Sequence, residues 1–253
     1  MSPHRHPAAR RCPGISTDSR RSLALLAAVA CLAAGGSGPL PDYAAPKARP
    51  LGASDRASSD VIPYRTLTRG DFRAARPPPE AREHAQAMGA ATCALVLPAS
   101  ELRIAGHPMQ GSDGRVRYRG SIRGLAFRAV MDRSCSWWNA AARSPPPGYV
   151  LEHEQIHFAL AELAARGLNA RAASLMEGFR FESPDSGALA SSATRYVEDA
   201  IRQAMQALVE RNAAFDRDTS LRYEPDKQAV WRQRVEAELR DSHRYAAPVS
   251  HRP

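Results

Sequence analysis

Three prolines and a glycine, Pro145-Pro146-Pro147-Gly148, divide this chain into two unlike halves. Proline fixes φ, removes a backbone donor and pushes the residue before it out of helical geometry. No strand or helix is therefore expected to run through the break. Before it the sequence reads as short strands. Residues 61–67 form a strand candidate, and Arg76-Pro77-Pro78-Pro79 interrupts the chain. Residues 92–97 (TCALVL) are an apolar, partly β-branched run, and Gly111-Ser112-Asp113-Gly114 signals a turn between 101–104 and 115–118. In 124–132, Leu125, Phe127, Ala129 and Met131 alternate onto one face. After the break the apolar period is helical. Residues 149–166 are expected to end at Gly167 as a C′ residue, and 169–177 to form a short helix. A long amphipathic helix over 191–215 carries Val197, Ile201, Met205, Leu208 and Phe215. Another over 225–239 begins with a proline in its first turn. A small N-terminal antiparallel β-sheet followed by a helical half is an α+β pattern.

The first helix after the break contains His153-Glu154-Gln155-Ile156-His157, an H-E-x-x-H spacing. Residues four apart share one helix face, so both imidazoles project together and can grip one Zn²⁺. Glu154 is placed to act as general base on a metal-held water. Ile156, Leu160 and Leu163 mark the core side of the same helix. A catalytic zinc needs a third protein ligand. Glu162 is about 140° further round the helix and cannot supply it. Leu160 and Leu163 stand where a longer H-E-x-x-H-x-x-G-x-x-H motif would need Gly and His. The remaining candidates are Glu177, Glu182, Glu198, Asp199, Asp216, Asp218, Glu224 and His243, and spacing alone does not choose among them.

Residues 1–34 read as an export signal. Arg10, Arg11, Arg20 and Arg21 precede an apolar run of 12 residues, LALLAAVACLAA at 23–34. That length suits a signal h-region and is too short to span a bilayer. Ser19-Arg20-Arg21-Ser22-Leu23 resembles a twin-arginine signal, imperfectly. Cys31 offers a lipid-anchor site, although the Leu usual three residues earlier is missing. Residues 35–60 are a Pro/Ala/Ser/Gly-rich flexible linker, 61–246 the folded domain, and 247–253 a disordered tail. In an oxidising compartment Cys93 and Cys135 are expected to pair in a disulfide, with Trp137 and Trp138 packing beside it. The net charge is +9, but residues 1–34 hold five arginines and one aspartate, leaving +5. No long like-charge block follows, so nucleic acid is not an expected partner.

The chain resembles a family of predicted secreted bacterial zinc-dependent proteases, a domain otherwise of unknown function. The resemblance is carried by Tyr64-Arg65-Thr66-Leu67-Thr68-Arg69-Gly70-Asp71-Phe72, by Leu151-Glu152-His153-Glu154-Gln155-Ile156-His157-Phe158 with Ala161-Glu162-Leu163, and by Phe215-Asp216-Arg217-Asp218-Thr219 followed by Gln228 and Trp231. It covers about residues 62–239 and implies a zincin-like fold with the motif helix on a small sheet. Members tend to carry x-His-Gly after the Asp-x-x-Thr element, where this chain has Leu221-Arg222. Asp216 is the favoured third ligand, with Glu224 the other carboxylate considered in place of that His.

The implied activity is a secreted or periplasmic zinc metallopeptidase. Glu154 would activate water, and a protein or peptide substrate would pair with the strand at 124–130. The alternative is an envelope binding or scaffold protein on a zincin-like fold with a degenerate or structural metal site.

Overall fold

The computed structural model describes residues 60–219 and 223–247. The expected signal at 1–34 with Cys12 and Cys31, nearly all of the expected linker at 35–60, Leu221 and the residues beyond 247 lie outside the described residues.

Among the described residues, eight strands and four α-helices follow the chain: β1 (Val61–Pro63), β2 (Ala90–Ala91), β3 (Ala94–Pro98), β4 (Arg103–Gln110), β5 (Val116–Arg123), β6 (Phe127–Asp132), β7 (Trp137–Trp138), α1 (Pro147–Ala170), α2 (Ala172–Gly178), β8 (Glu182–Ser183), α3 (Ser186–Thr219) and α4 (Pro225–Asp241). The fold is mixed α and β, as the sequence pattern indicates. Two features depart from the expected order. The strands form three small antiparallel sheets, β1-β6-β3, β2-β7 and β4-β5-β8, rather than one. And β8, between α2 and α3, returns to pair with β5, so strands do not all precede helices. No helix among the described residues is long and apolar enough to cross a membrane.

The sheet that supports the site is β1-β6-β3. Met131 and Val130 of β6 face Ala94 and Leu95 of β3, and Met131 faces Ile62 of β1 on the other side. Strand β6 is therefore the middle strand. The expectation that 124–130 would offer an edge to a peptide is corrected: β3 pairs along 127–131 and β1 along 130–132. At its start, the Phe127 N–H donates to Asn169 Oδ1 (2.7 Å) and Asn169 Nδ2 donates to the Phe127 carbonyl (2.9 Å). Helix α1 packs on β6 and β3. Phe127, Phe158, Met131, Leu160, Val96 and Val130 are fully buried where they meet. Each such side chain contributes about 1.5–3 kcal/mol relative to exposure.

Helix α1 begins at Pro147, as the proline run requires, but does not stop at Gly167. It continues to Ala170. An internal glycine costs a helix about 1 kcal/mol. Here the next residues repay continuation: Leu168 is fully buried, and Asn169 holds Phe127 and the Tyr245 carbonyl. Segment 64–72 is tied across the motif helix. The Leu67 N–H donates to Gln155 Oε1 (2.7 Å), and Tyr64 meets Phe158 edge-on at 5.2 Å. Asp71 anchors that segment, accepting from Arg65 through both oxygens (3.0 and 2.6 Å) and from the Thr68 N–H (2.8 Å).

Cys93 and Cys135 form the expected disulfide, 42 residues apart in sequence, with Cα atoms 5.8 Å apart. Trp138 packs edge-on against Phe72 at 5.5 Å under the Arg69 guanidinium. The β4–β5 hairpin turns at Gly114, whose φ of 74° suits glycine. Its inner face sits on α2 and α3: a Cβ at Gly120 would come within 2.8 Å of the Phe179 ring.

Candidate metal centre

Two helices build the site. On α1, His153 and His157 stand one turn apart and are both largely buried, with side-chain exposures of 10% and 14%. Helix α3 runs past them for 34 residues, longer than the 191–215 reading. Its last turns present Asn212, Phe215, Asp216 and Thr219, spaced three and four apart and therefore on one stripe. Phe215 is fully buried and stacks on His153, with ring centroids 4.4 Å apart, while meeting His157 edge-on at 5.0 Å. That apolar floor fixes both imidazoles.

Three donor atoms converge above it. His153 Nε2 and His157 Nε2 each lie 3.1 Å from Asp216 Oδ1, and 3.1 Å from each other. No other group of three or more His, Cys, Asp or Glu side chains among the described residues converges in this way. Of the sequence candidates, Asp216 alone joins the pair. Glu182 pairs with Arg119, Asp199 with Arg202, Asp218 accepts from Trp231 Nε1, and Glu224 pairs with Lys227. Glu162 is buried against Arg166, as its position round the helix required.

The far sides of both rings settle their tautomers. Gln228 is fully buried, and its amide nitrogen donates to the Tyr149 carbonyl (3.1 Å) and to Glu152 Oε2 (3.0 Å). Its oxygen therefore faces His153 Nδ1 at 3.2 Å and must accept from it. Asn212 Oδ1 does the same for His157 Nδ1 at 3.0 Å. Each neutral ring then carries its proton on Nδ1 and presents a bare Nε2 lone pair. Two lone pairs and a carboxylate oxygen in one small triangle repel unless a cation lies among them. In the metal-free chain a proton serves. Burial alone would push His157 down, but Asp216 overrides it and raises its pKa to about 9. Burial likewise opposes ionisation of Asp216, yet His157 and His153 hold its carboxyl well below the ordinary range.

A divalent metal suits the same triangle. Donors around a tetrahedral ion at about 2.0–2.1 Å stand roughly 3.3–3.4 Å apart, a few tenths of an ångström wider than here. A ring that donates its second nitrogen to an amide or carbonyl oxygen is the usual companion of a metal-bound imidazole. Glu154 adds an independent sign. It is buried, and its Oε2 has no hydrogen-bond partner among the described residues. Its charge helps raise His157, which places it beside the cluster. An orphaned buried carboxylate oxygen is costly and calls for a functional reason. Asp216 is the open side of the site, with 46% of its side chain exposed.

Gln228, Asn212 and Thr219 were not identified from sequence as site residues. Amides and hydroxyls carry no metal-ligand signature, and only the Asp-x-x-Thr element ending at Thr219 and the Gln228–Trp231 spacing within the resemblance pointed to that region. Thr219 Oγ1 donates to the Phe215 carbonyl (2.7 Å) and lies 3.4 Å from His153 Nδ1. Tyr149 Oη donates to the Thr219 carbonyl (2.8 Å), joining the end of α3 to the start of α1. A groove of about 640 Å³ lined by Leu160, Leu163, Leu208 and Tyr245 contains none of the four motif or ligand residues.

No family model, curated protein or solved structure matches this chain.

Proposed function

We infer that this protein is a zinc metallopeptidase of the H-E-x-x-H type, exported and acting on protein or peptide substrates. The observation that carries this is the convergence of His153 Nε2, His157 Nε2 and Asp216 Oδ1 beside the unpartnered Glu154 Oε2. Two imidazoles and one carboxylate form the open donor set of catalytic zinc sites, whereas structural sites are closed by four protein ligands. A motif helix lying on a small antiparallel sheet supports a zincin-like fold. The Cys93–Cys135 disulfide supports an oxidising destination.

When bound, zinc supplies Lewis acidity for a peptide carbonyl and makes water more acidic. The chain's own residues do the rest. Glu154 Oε2 accepts the proton released by the attacking water and returns it to the departing amine nitrogen. Gln228 and Asn212 keep both Nε2 atoms turned inward. Phe215 excludes water from beneath the rings, and the exposed flank of Asp216 leaves room for a polypeptide to approach.

Leu221 favours a rival, an envelope binding or scaffold protein with a degenerate or structural metal site. Asp216 supplies a third donor without residue 221, and so weakens that rival. Metal analysis of protein purified without added zinc separates the two, followed by incubation with an unstructured protein. The peptidase reading expects one zinc per chain and cleavage that a chelator stops. Bound zinc without cleavage supports the scaffold, and no zinc at neutral pH removes both the ion and the peptidase from consideration.

A further inference from the structure

The sequence disperses its arginines, but the β4–β5 hairpin gathers them. In β5, Arg117, Arg119 and Arg123 alternate with Tyr118, Gly120 and Ile122, so the pleat sends the arginines to one face and the packed residues to the other. The register adds Arg103, which lies directly opposite Arg123, together with His107 opposite Arg119 and Met109 opposite Arg117. All four arginines are exposed. Like charges directly opposite destabilise a ladder, yet neither Arg103 nor Arg123 has an ion-pair partner among the described residues. Arg119 meets Glu182 of β8 at 2.8 Å and Arg117 meets Asp113 at 3.6 Å. Both pairs are exposed, of the kind that contributes little and is easily exchanged. His107 contacts Ser121 at 3.2 Å. The residues between the arginines, Ala105, Met109 and Ser121, carry no charge, so the exposed sheet face is cationic.

That face is remote from the metal centre. Leu189 of α3 touches the inner side of the hairpin at Gly106 and Gly120. Asp216 lies 27 residues further along the same helix, or about 40 Å at 1.5 Å per residue. The arginines therefore do not serve the cleft.

We propose that the outer face of the β4–β5 hairpin, through Arg103, Arg117, Arg119 and Arg123, docks the protein on an anionic lipid surface. Charge complementarity selects this partner. Guanidinium groups bind phosphate oxygens bidentately, and a planar array of headgroups meets several at once, whereas a compact anion would need a pocket. Each arginine brought near an anionic leaflet strengthens binding about fivefold. Four therefore predict a preference of roughly 10²–10³ over neutral lipid at low salt, falling steeply as salt is raised.

The test is co-sedimentation of the zinc-treated full chain with phosphatidylcholine vesicles, with and without 30% phosphatidylglycerol as a probe composition. The expected result is the stated preference for the anionic vesicles. It should be lost at least tenfold in R103Q/R117Q/R119Q/R123Q and kept in the corresponding four Arg→Lys changes, with zinc content equal in all three. If the quadruple Gln variant fails to fold, R103Q/R123Q serves instead. Removing the opposed pair should lower the preference more than tenfold and raise Tm. Equal binding of wild type and folded Gln variants overturns the proposal, as does capture by soluble polyphosphate with no preference between vesicles. None of these outcomes depends on peptidase activity.

Discussion

Gln228 is fully buried, carries no charge and touches no reacting atom, yet it decides which nitrogen of His153 faces the site. Gln228→Leu keeps the side-chain volume and removes that hydrogen bond, so zinc affinity should fall about 10–100-fold, read by chelator competition. An unchanged affinity would mean that Gln228 only fills space. His157 gives a second expectation, for the metal-free protein. Its pKa is raised to about 9, against about 6.5 in an unfolded chain. A raised folded value contributes stability that is fully present below about 6.5 and lost as pH rises through about 9. Metal-free protein should therefore melt at a lower temperature at pH 9.5 than at pH 6.5, and H157Q should flatten that dependence. At this scale the sequence was legible only where geometry is local. Four residues of helix fix His153 to His157 and place Glu154 between them. Asp216 lies on another helix, where it looked like any other carboxylate until the packing of α1 on α3 selected it.

Among the elements, the proline run and the apolar periods located the helices well because those signals are short-range. Helix ends were less legible, because tertiary contacts decide them. Gly167 reads as a stop, but the burial of Leu168 and the hydrogen bonds of Asn169 carry α1 three residues beyond it. Helix α3 likewise outlasts its apolar stripe, and that extra turn holds Asp216. Alternation in 124–132 was correctly strand-like but could not tell a middle strand from an edge, since side-chain period says nothing about backbone partners. Asn169→Ala tests the clamp between α1 and β6. It leaves the buried Phe127 backbone without two partners and should cost about 1–3 kcal/mol, measured by urea unfolding. Zinc content should be unchanged.

For the whole molecule, α+β was legible and its division into three small sheets was not, because strand pairing at long range leaves no pattern in the sequence. The disulfide was foreseeable from two cysteines in a chain whose first 34 residues read as an export signal. Its 42-residue separation predicts a loss of about 3–4 kcal/mol on C93S/C135S by the loop-closure relation, read as a lower denaturation midpoint. The net charge of +9 looked diffuse in one dimension, and only the register of the hairpin concentrates part of it. The candidate metal site lies near the end of α3, and the β4–β5 hairpin that carries the arginines packs near its start at Leu189, so each can be altered without the other.

The most direct measurement compares wild type with Glu154→Gln for zinc content and for cleavage of an unstructured protein. In the proposed mechanism Glu154 supplies the proton transfer but no metal ligand, so the variant should hold one zinc per chain while its cleavage rate falls at least 10²-fold. Wild-type cleavage by a zinc-loaded Glu154→Gln protein would contradict the account.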